Sequence, residues 1–181
     1  MKTSRSALAA ILAAGAMLTT APALAHNHGH HDGGADIVQV ASGNDDFETL
    51  VAAVQAAGLV ETLQGDGPFT VFAPTDDAFN ALPQGTVSTL LRSENRGQLT
   101  SVLTYHVVAG RVTADDLIHL IREGDGHARI ETVAGETLTA RLANGKIVLT
   151  DGADRQVLVT TADIAASNGV IHVLDRVLLP G

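Results

Sequence analysis

Cysteine is missing from all 181 residues of this chain. Its absence excludes disulfides, thiolate metal centres, cysteine nucleophiles and a lipid-bearing N-terminal cysteine. Tryptophan is missing too, and with one Tyr and four Phe the aromatics reach only 3%. Because 45% of the residues are hydrophobic, a core can still form, built from Val, Leu, Ile and Ala. Basic residues are scarce: 11 Lys and Arg face 20 Asp and Glu, for a formal charge of −9. Such a chain, without a Lys/Arg cluster or an aromatic stacking pair, repels phosphate backbones, which argues against a nucleic-acid partner. Catalytic signatures are absent as well. There is no G-x-S-x-G, H-E-x-x-H, P-loop or G-x-G-x-x-G, and the GDG triplets at 65–67 and 124–126 read as turns. No enzymatic activity and no built-in cofactor is expected.

The first 25 residues carry an export pattern. Lys2 and Arg5 supply the positive start, Ala7 to Leu18 the apolar run, and Ala23-Leu24-Ala25 an A-x-A cleavage site. That run is shorter than the roughly 20 apolar residues a membrane span needs, and no later segment qualifies. A soluble product, secreted or periplasmic, is expected; a retained N-terminal anchor is the alternative. Without Lys2 and Arg5 the net charge falls to about −11, since nine basic residues remain.

Residues 26–35 form a Gly/His-rich tail without periodicity, expected to be disordered. HNHGHH at its start holds four of the eight histidines. If cleavage follows Ala25, the new amine, the two amides of Asn27 and His28, and the His28 imidazole offer four nitrogens in the square-planar arrangement of Cu(II) or Ni(II). His26 becomes the first residue of that site. Zn(II) could be held more loosely by His28, His30 and His31. The competing reading is a solvated polar tail.

Ordered structure is expected from about Asp36. After Asp45 and Asp46, which can cap a helix, Phe47, Leu50, Val51 and Val54 fall on one helical face, and Gly58 suits the helix end. Phe69 to Ala73 is a short β-prone run that Pro74 stops. Thr75 is an N-cap candidate, with Asp76 and Asp77 in the first helical turn. TVSTLL reads as a short helix, and Leu99, Val102, Leu103 and His106 share another helical face. Most of the remainder is β-prone. Leu138, Ala140 and Leu142 alternate, then Asn144-Gly145 marks a hairpin before Ile147 and Leu149. VLVTTADI and GVIHVLDRVLL add two more runs separated by Asn168-Gly169. Helices first and strands later predict an α+β layout with a mostly antiparallel sheet.

FTVFAPTDDAF (69–79), LTYHVV (103–108) and SNGVIHVLDRVLLP (167–180) resemble the sequence boxes of the fasciclin domain, in its order and spacing. The preceding DDFETLVAAVQAAGLVETL is similar to that domain's opening helices, so the resemblance runs from about Asp36 to Pro180 and the domain is taken as residues 36–181. It implies N-terminal helices packed on a β-sandwich-like wedge of short strands. It also implies an adhesion or binding module contacting a cell-surface or matrix protein or glycan, or an envelope component. With one copy of the domain, the chain is expected to be a monomer and to lack the avidity of tandem repeats.

The resemblance links the Tyr105-His106 pair both to fold integrity and to adhesion. On its helical face His106 reads as a buried, hydrogen-bonded structural residue. Asp163-Ile164 stands where some animal members carry a short receptor motif, so this edge is a candidate partner contact; alternatively the stretch is a turn that stacks Ile164 into the core. Adjacent Asp76 and Asp77 point in different directions, which favours capping over paired acid/base work. His172 reads as structural, and His119 and His127 lack metal-ligand spacing.

Overall fold

A computed structural model describes residues 34–181. The expected signal at 1–25 and all of the His/Gly-rich tail except Gly34 and Ala35 lie outside the described residues. Within them the chain builds seven helices and seven strands. They run α1 (Ile37–Ser42), α2 (Glu48–Ala57), α3 (Val60–Leu63), β1 (Phe69–Pro74), α4 (Asp76–Asn80) and α5 (Thr86–Leu90). Then come α6 (Arg96–Tyr105), β2 (Val107–Ala109), α7 (Ala114–Glu123), β3 (His127–Glu131), β4 (Thr137–Ala143), β5 (Lys146–Thr150), β6 (Gln156–Ala166) and β7 (Gly169–Leu174).

One seven-stranded sheet runs in the order β2-β1-β7-β6-β5-β4-β3. Every neighbouring pair is antiparallel except β1 and β7, which run parallel from Phe69 opposite Gly169 to Pro74 opposite Leu174. The sheet curls far enough for the Val133 amide, just past β3, to donate to the Val107 carbonyl of β2 at 2.8 Å. The result is a nearly closed wedge with helices on one outer face. The α+β expectation is met, with a wedge made from a single bent sheet.

The two parallel strands, second and third in the sheet, are buried on both faces and almost wholly apolar, with Thr70 and His172 as the polar exceptions. Val71 and Ala73 of β1, with Ile171 and Val173 of β7, pack against Phe47, Leu50, Val54, Leu99 and Leu103 from the helical layer. Phe72 and Leu174 point the other way, into a second cluster with Leu117, Ile121, Leu138, Leu149 and Leu178. Helix α7 plugs this second core. Its Thr113/Asp116 capping box and two acidic residues in the first turn secure its start, and Leu117 and Ile121 enter the wedge one turn apart. The outer strand β3 buries Ala128 and Ile130 while exposing His127, Arg129 and Glu131, a charged edge that discourages further pairing.

Local expectations hold at several points. Asn144 and Gly145 take φ of 53° and 77° in the β4–β5 turn. Gly58 ends α2 at φ 73°, and the Thr75 hydroxyl accepts from the Ala78 amide at the start of α4. Capping by Asp45 and Asp46 does not reach α2: they sit in a 3-10 turn capped by Asn44. The α2 amide of Thr49 instead donates to Asp76 Oδ1 at 2.8 Å, a cap supplied from α4. Asn168 is likewise more than a turn residue. Its Oδ1 accepts from Ile37 N–H, and its Nδ2 donates to the Leu63 and Gly65 carbonyls, which ties α1 and α3 to the β6–β7 turn.

Candidate functional site

Helix α6 buries Leu99, Val102 and Leu103 in the core shared by α2, β1 and β7, then ends at Tyr105. That placement sends the side chains of Tyr105 and His106 to different parts of the interior. Tyr105 is 0% exposed, and its ring enters the wedge. Its hydroxyl accepts a hydrogen bond from the Gly152 amide at 2.8 Å, and burial pushes the phenol pKa up. His106, 2% exposed, caps its own helix: Nδ1 is 2.7 Å from the Val102 carbonyl, in the last turn where carbonyls lack helical partners. On the other side the Leu178 amide donates to Nε2 at 3.0 Å. A carbonyl can only accept and an amide only donate, so the ring is the neutral tautomer with its proton on Nδ1. Burial pushes the His106 pKa down to about 4, which keeps that tautomer through the neutral range. The pair therefore fastens α6 to the β5–β6 turn and to the C-terminal segment, and neither side chain reaches the surface.

Asp151 completes this anchorage, and sequence reasoning missed it. Its Oδ1 accepts from the Ala153 and Arg155 amides at 3.0 and 2.9 Å. Its Oδ2 accepts from Arg155 Nη2 at 2.6 Å and from the Leu179 amide at 3.1 Å. A buried carboxylate needs such donors. The available signal was a lone acid directly after an apolar strand and four residues before an arginine.

Asp163-Ile164 sits where β6 loses register with β7, between Thr161 and Ile164. Asp163 adopts φ 60°, the backbone of a bulge. Its Oδ1 accepts from the Ala114 amide at 2.8 Å, on the first residue of α7, while the residue as a whole stays exposed. Ile164 is half-buried against the helical core. Asp163 thus works as a second cap on α7; the stretch is a bulge within β6 and not the turn the sequence suggested, and Ile164 packs only partly against the core. Behind the bulge lies His172, fully buried and stacked on Phe72 with ring centroids 5.5 Å apart. Its Nε2–H donates to the Val112 carbonyl at 2.8 Å and its Nδ1 faces the Asp163 amide at 3.4 Å. Burial pushes its pKa down as well. Thr70 continues the network, accepting from Val112 N–H and donating to the Gly110 carbonyl.

Tyr105 and His106 therefore serve one junction and Asp163 another. Asp76 and Asp77 stand in the first turn of α4, as capping requires. His119 lies on α7 and His127 on β3, and among the described residues no group of three His, Asp or Glu side chains is placed to hold a metal ion. His26, Asn27, His28, His30 and His31 lie outside the described residues. No helix among the described residues is long and apolar enough to cross a membrane.

Comparison with known proteins places these junctions in context. The profile of the Fasciclin domain matches residues 45–180. The chain is 50% identical over 149 residues to Protein sll1483 of Synechocystis, covering 82% of this chain and 76% of that protein. It is 38% identical over 145 residues to the pig transforming growth factor-beta-induced protein ig-h3, covering 80% of this chain but 19% of that longer protein. Among solved structures, the FAS1 domain pair from the insect cell adhesion molecule Fasciclin I superimposes with a TM-score of 0.72 at 18% identity, covering 80% of this chain and 51% of that one.

Proposed function

The chain belongs to the fasciclin domain family, and on that premise we propose that it is a non-enzymatic binding module, exported to the periplasm or beyond, which contacts a cell-surface, extracellular-matrix or envelope component. The observation that carries this reading is how its buried polar side chains are employed. Tyr105, His106, Asp151 and His172 each join backbone groups from separate segments, which commits the titratable groups of the interior to architecture. The outer surface is then the part available to a partner. The fold shared with a pair of domains from an insect cell adhesion molecule supports the same assignment.

The edge built by the β6 bulge and the start of α7 is the proposed contact. Thr160, Thr161, Asp163 and Asp115 are all exposed there, and the Asp163–Ala114 hydrogen bond fixes the two elements against each other. A rigid, preorganised edge loses little freedom on binding. The test is retention of the exported protein on arrays of matrix proteins, glycans and bacterial envelope preparations. Saturable retention on a subset of surfaces, weakened by Thr161→Lys, is the expected result. Retention on none of them above an inert protein control overturns the proposal.

A further inference from the structure

A surface cleft of about 330 Å³ lies between the end of α4, the start of β6 and the segment after β7. Its size falls at the lower end of small-ligand pockets, roughly 300–1,000 Å³. Leu82, Pro83, Val157 and Val177 give it an aliphatic lining, and its charged side chains are Arg155 and Arg176. Among the described residues no carboxylate lines it. On a chain of net charge −9, two arginines over an apolar floor form a local exception to the acidic surface.

The two guanidinium groups are differently committed. Arg155 is held through Nη2 by Asp151 at 2.6 Å, while its Nε is shielded from solvent and has no acceptor among the described residues. Arg176 is exposed and has no ion-pair partner among the described residues. Both also line a neighbouring cleft that contains Asp154 and Asp175, where Asp175 Oδ1 accepts from the Leu158 amide at 2.8 Å. The aliphatic cleft itself has both arginines in its lining and, among the described residues, no acidic side chain. Asp151, fixed by three backbone amides, keeps Arg155 from swinging away.

We propose that this cleft binds a small aliphatic carboxylate, with its carboxyl group on Arg155 and Arg176 and its alkyl chain on Leu82, Pro83, Val157 and Val177. Planar guanidinium groups match a carboxylate in paired, charge-assisted hydrogen bonds. An inorganic anion would leave the apolar surface of Leu82 and Pro83 uncovered, and an uncharged alcohol would leave the arginines uncompensated. The site is independent of the β6 bulge and of any macromolecular partner there.

The test is calorimetric titration of the full chain with octanoate, kept below its micelle concentration, alongside acetate and 1-octanol. Octanoate binds saturably in the expected result, and acetate and octanol bind about tenfold more weakly or not at all. Arg176→Gln weakens octanoate binding about tenfold while leaving the melting temperature at the wild-type value, because the side chain is exposed. Leu82→Ser weakens octanoate but not acetate. The proposal is overturned if octanoate shows no saturable binding or binds Arg176→Gln as well as wild type. Binding of a peptide with a free C-terminal leucine in place of octanoate also overturns it.

Discussion

Replacing His106 by Ala removes the acceptor of the Leu178 amide and the donor to the Val102 carbonyl in one step. Each buried polar group left without a partner costs about 1–3 kcal/mol, and the vacated ring volume adds to this, so the loss at pH 7.5 is about 3–4 kcal/mol. That is a large share of the stability of an ordinary domain, roughly 5–15 kcal/mol. The pH dependence makes the test sharper. His106 has a pKa of about 4 in the fold against 6.5 for a free histidine, so on acidification the unfolded chain takes up its proton first. Its contribution is complete above pH 6.5 and is lost as the pH falls toward about 4, at about 1.4 kcal/mol per pH unit and about 3 kcal/mol in all. The Ala variant lacks this dependence. Urea unfolding followed by far-ultraviolet circular dichroism between pH 7.5 and 4.5 should therefore show wild type and variant converging as the pH falls. His172 titrates with the same sign in both proteins and cancels in the difference. A gap that stays constant with pH, or one below about 1 kcal/mol at pH 7.5, refutes the reasoning.

Tyr105→Phe leaves the Gly152 amide without its acceptor, and the expected loss is about 1–2 kcal/mol in urea unfolding, with faster hydrogen exchange at Gly152. At Asp163 the side chain caps α7 and the backbone is left-handed. Asp163→Asn should stay near wild type in melting temperature, whereas Asp163→Ala loses both the cap and the tolerance for φ 60°, about 2 kcal/mol together. Gly169→Ala should be the most damaging of the small substitutions. A Cβ there would overlap the Phe69 carbonyl oxygen and press on Ile37, so circular dichroism should show the β1–β7 pairing broken and the fold lost at 37 °C, a temperature at which about 3 kcal/mol is decisive.

What the residues reveal on inspection depends on how local the physics is. The apolar face of Phe47, Leu50, Val51 and Val54 and the Asn144-Gly145 turn are short-range patterns; the turn stands as predicted, and the face does too, with Phe47 in the 3-10 turn before α2 and Val51 half-buried. The fasciclin boxes extended that reach to the whole architecture. Long-range pairing is different in kind. Nothing near Phe69 announces that its parallel neighbour is Gly169, and nothing near Thr49 announces that Asp76 will cap it. Strand β2 was hidden because Val107 and Val108 continue the apolar spacing of α6, although the helix stops at Tyr105. Helix α7 could have been found from its Thr113/Asp116 capping box. His106 was legible as buried from its helical face, but its two backbone partners, and hence its tautomer, required the fold.

The proposed binding role assigns partner contact to the surface and leaves the Tyr105-His106 pair to the architecture. Its most direct test compares the melting temperature of His106→Gln with its retention on immobilised matrix and glycan surfaces, measured per folded molecule. The melting temperature should fall and the retention of the folded fraction should match wild type. An unchanged melting temperature with retention abolished would contradict it.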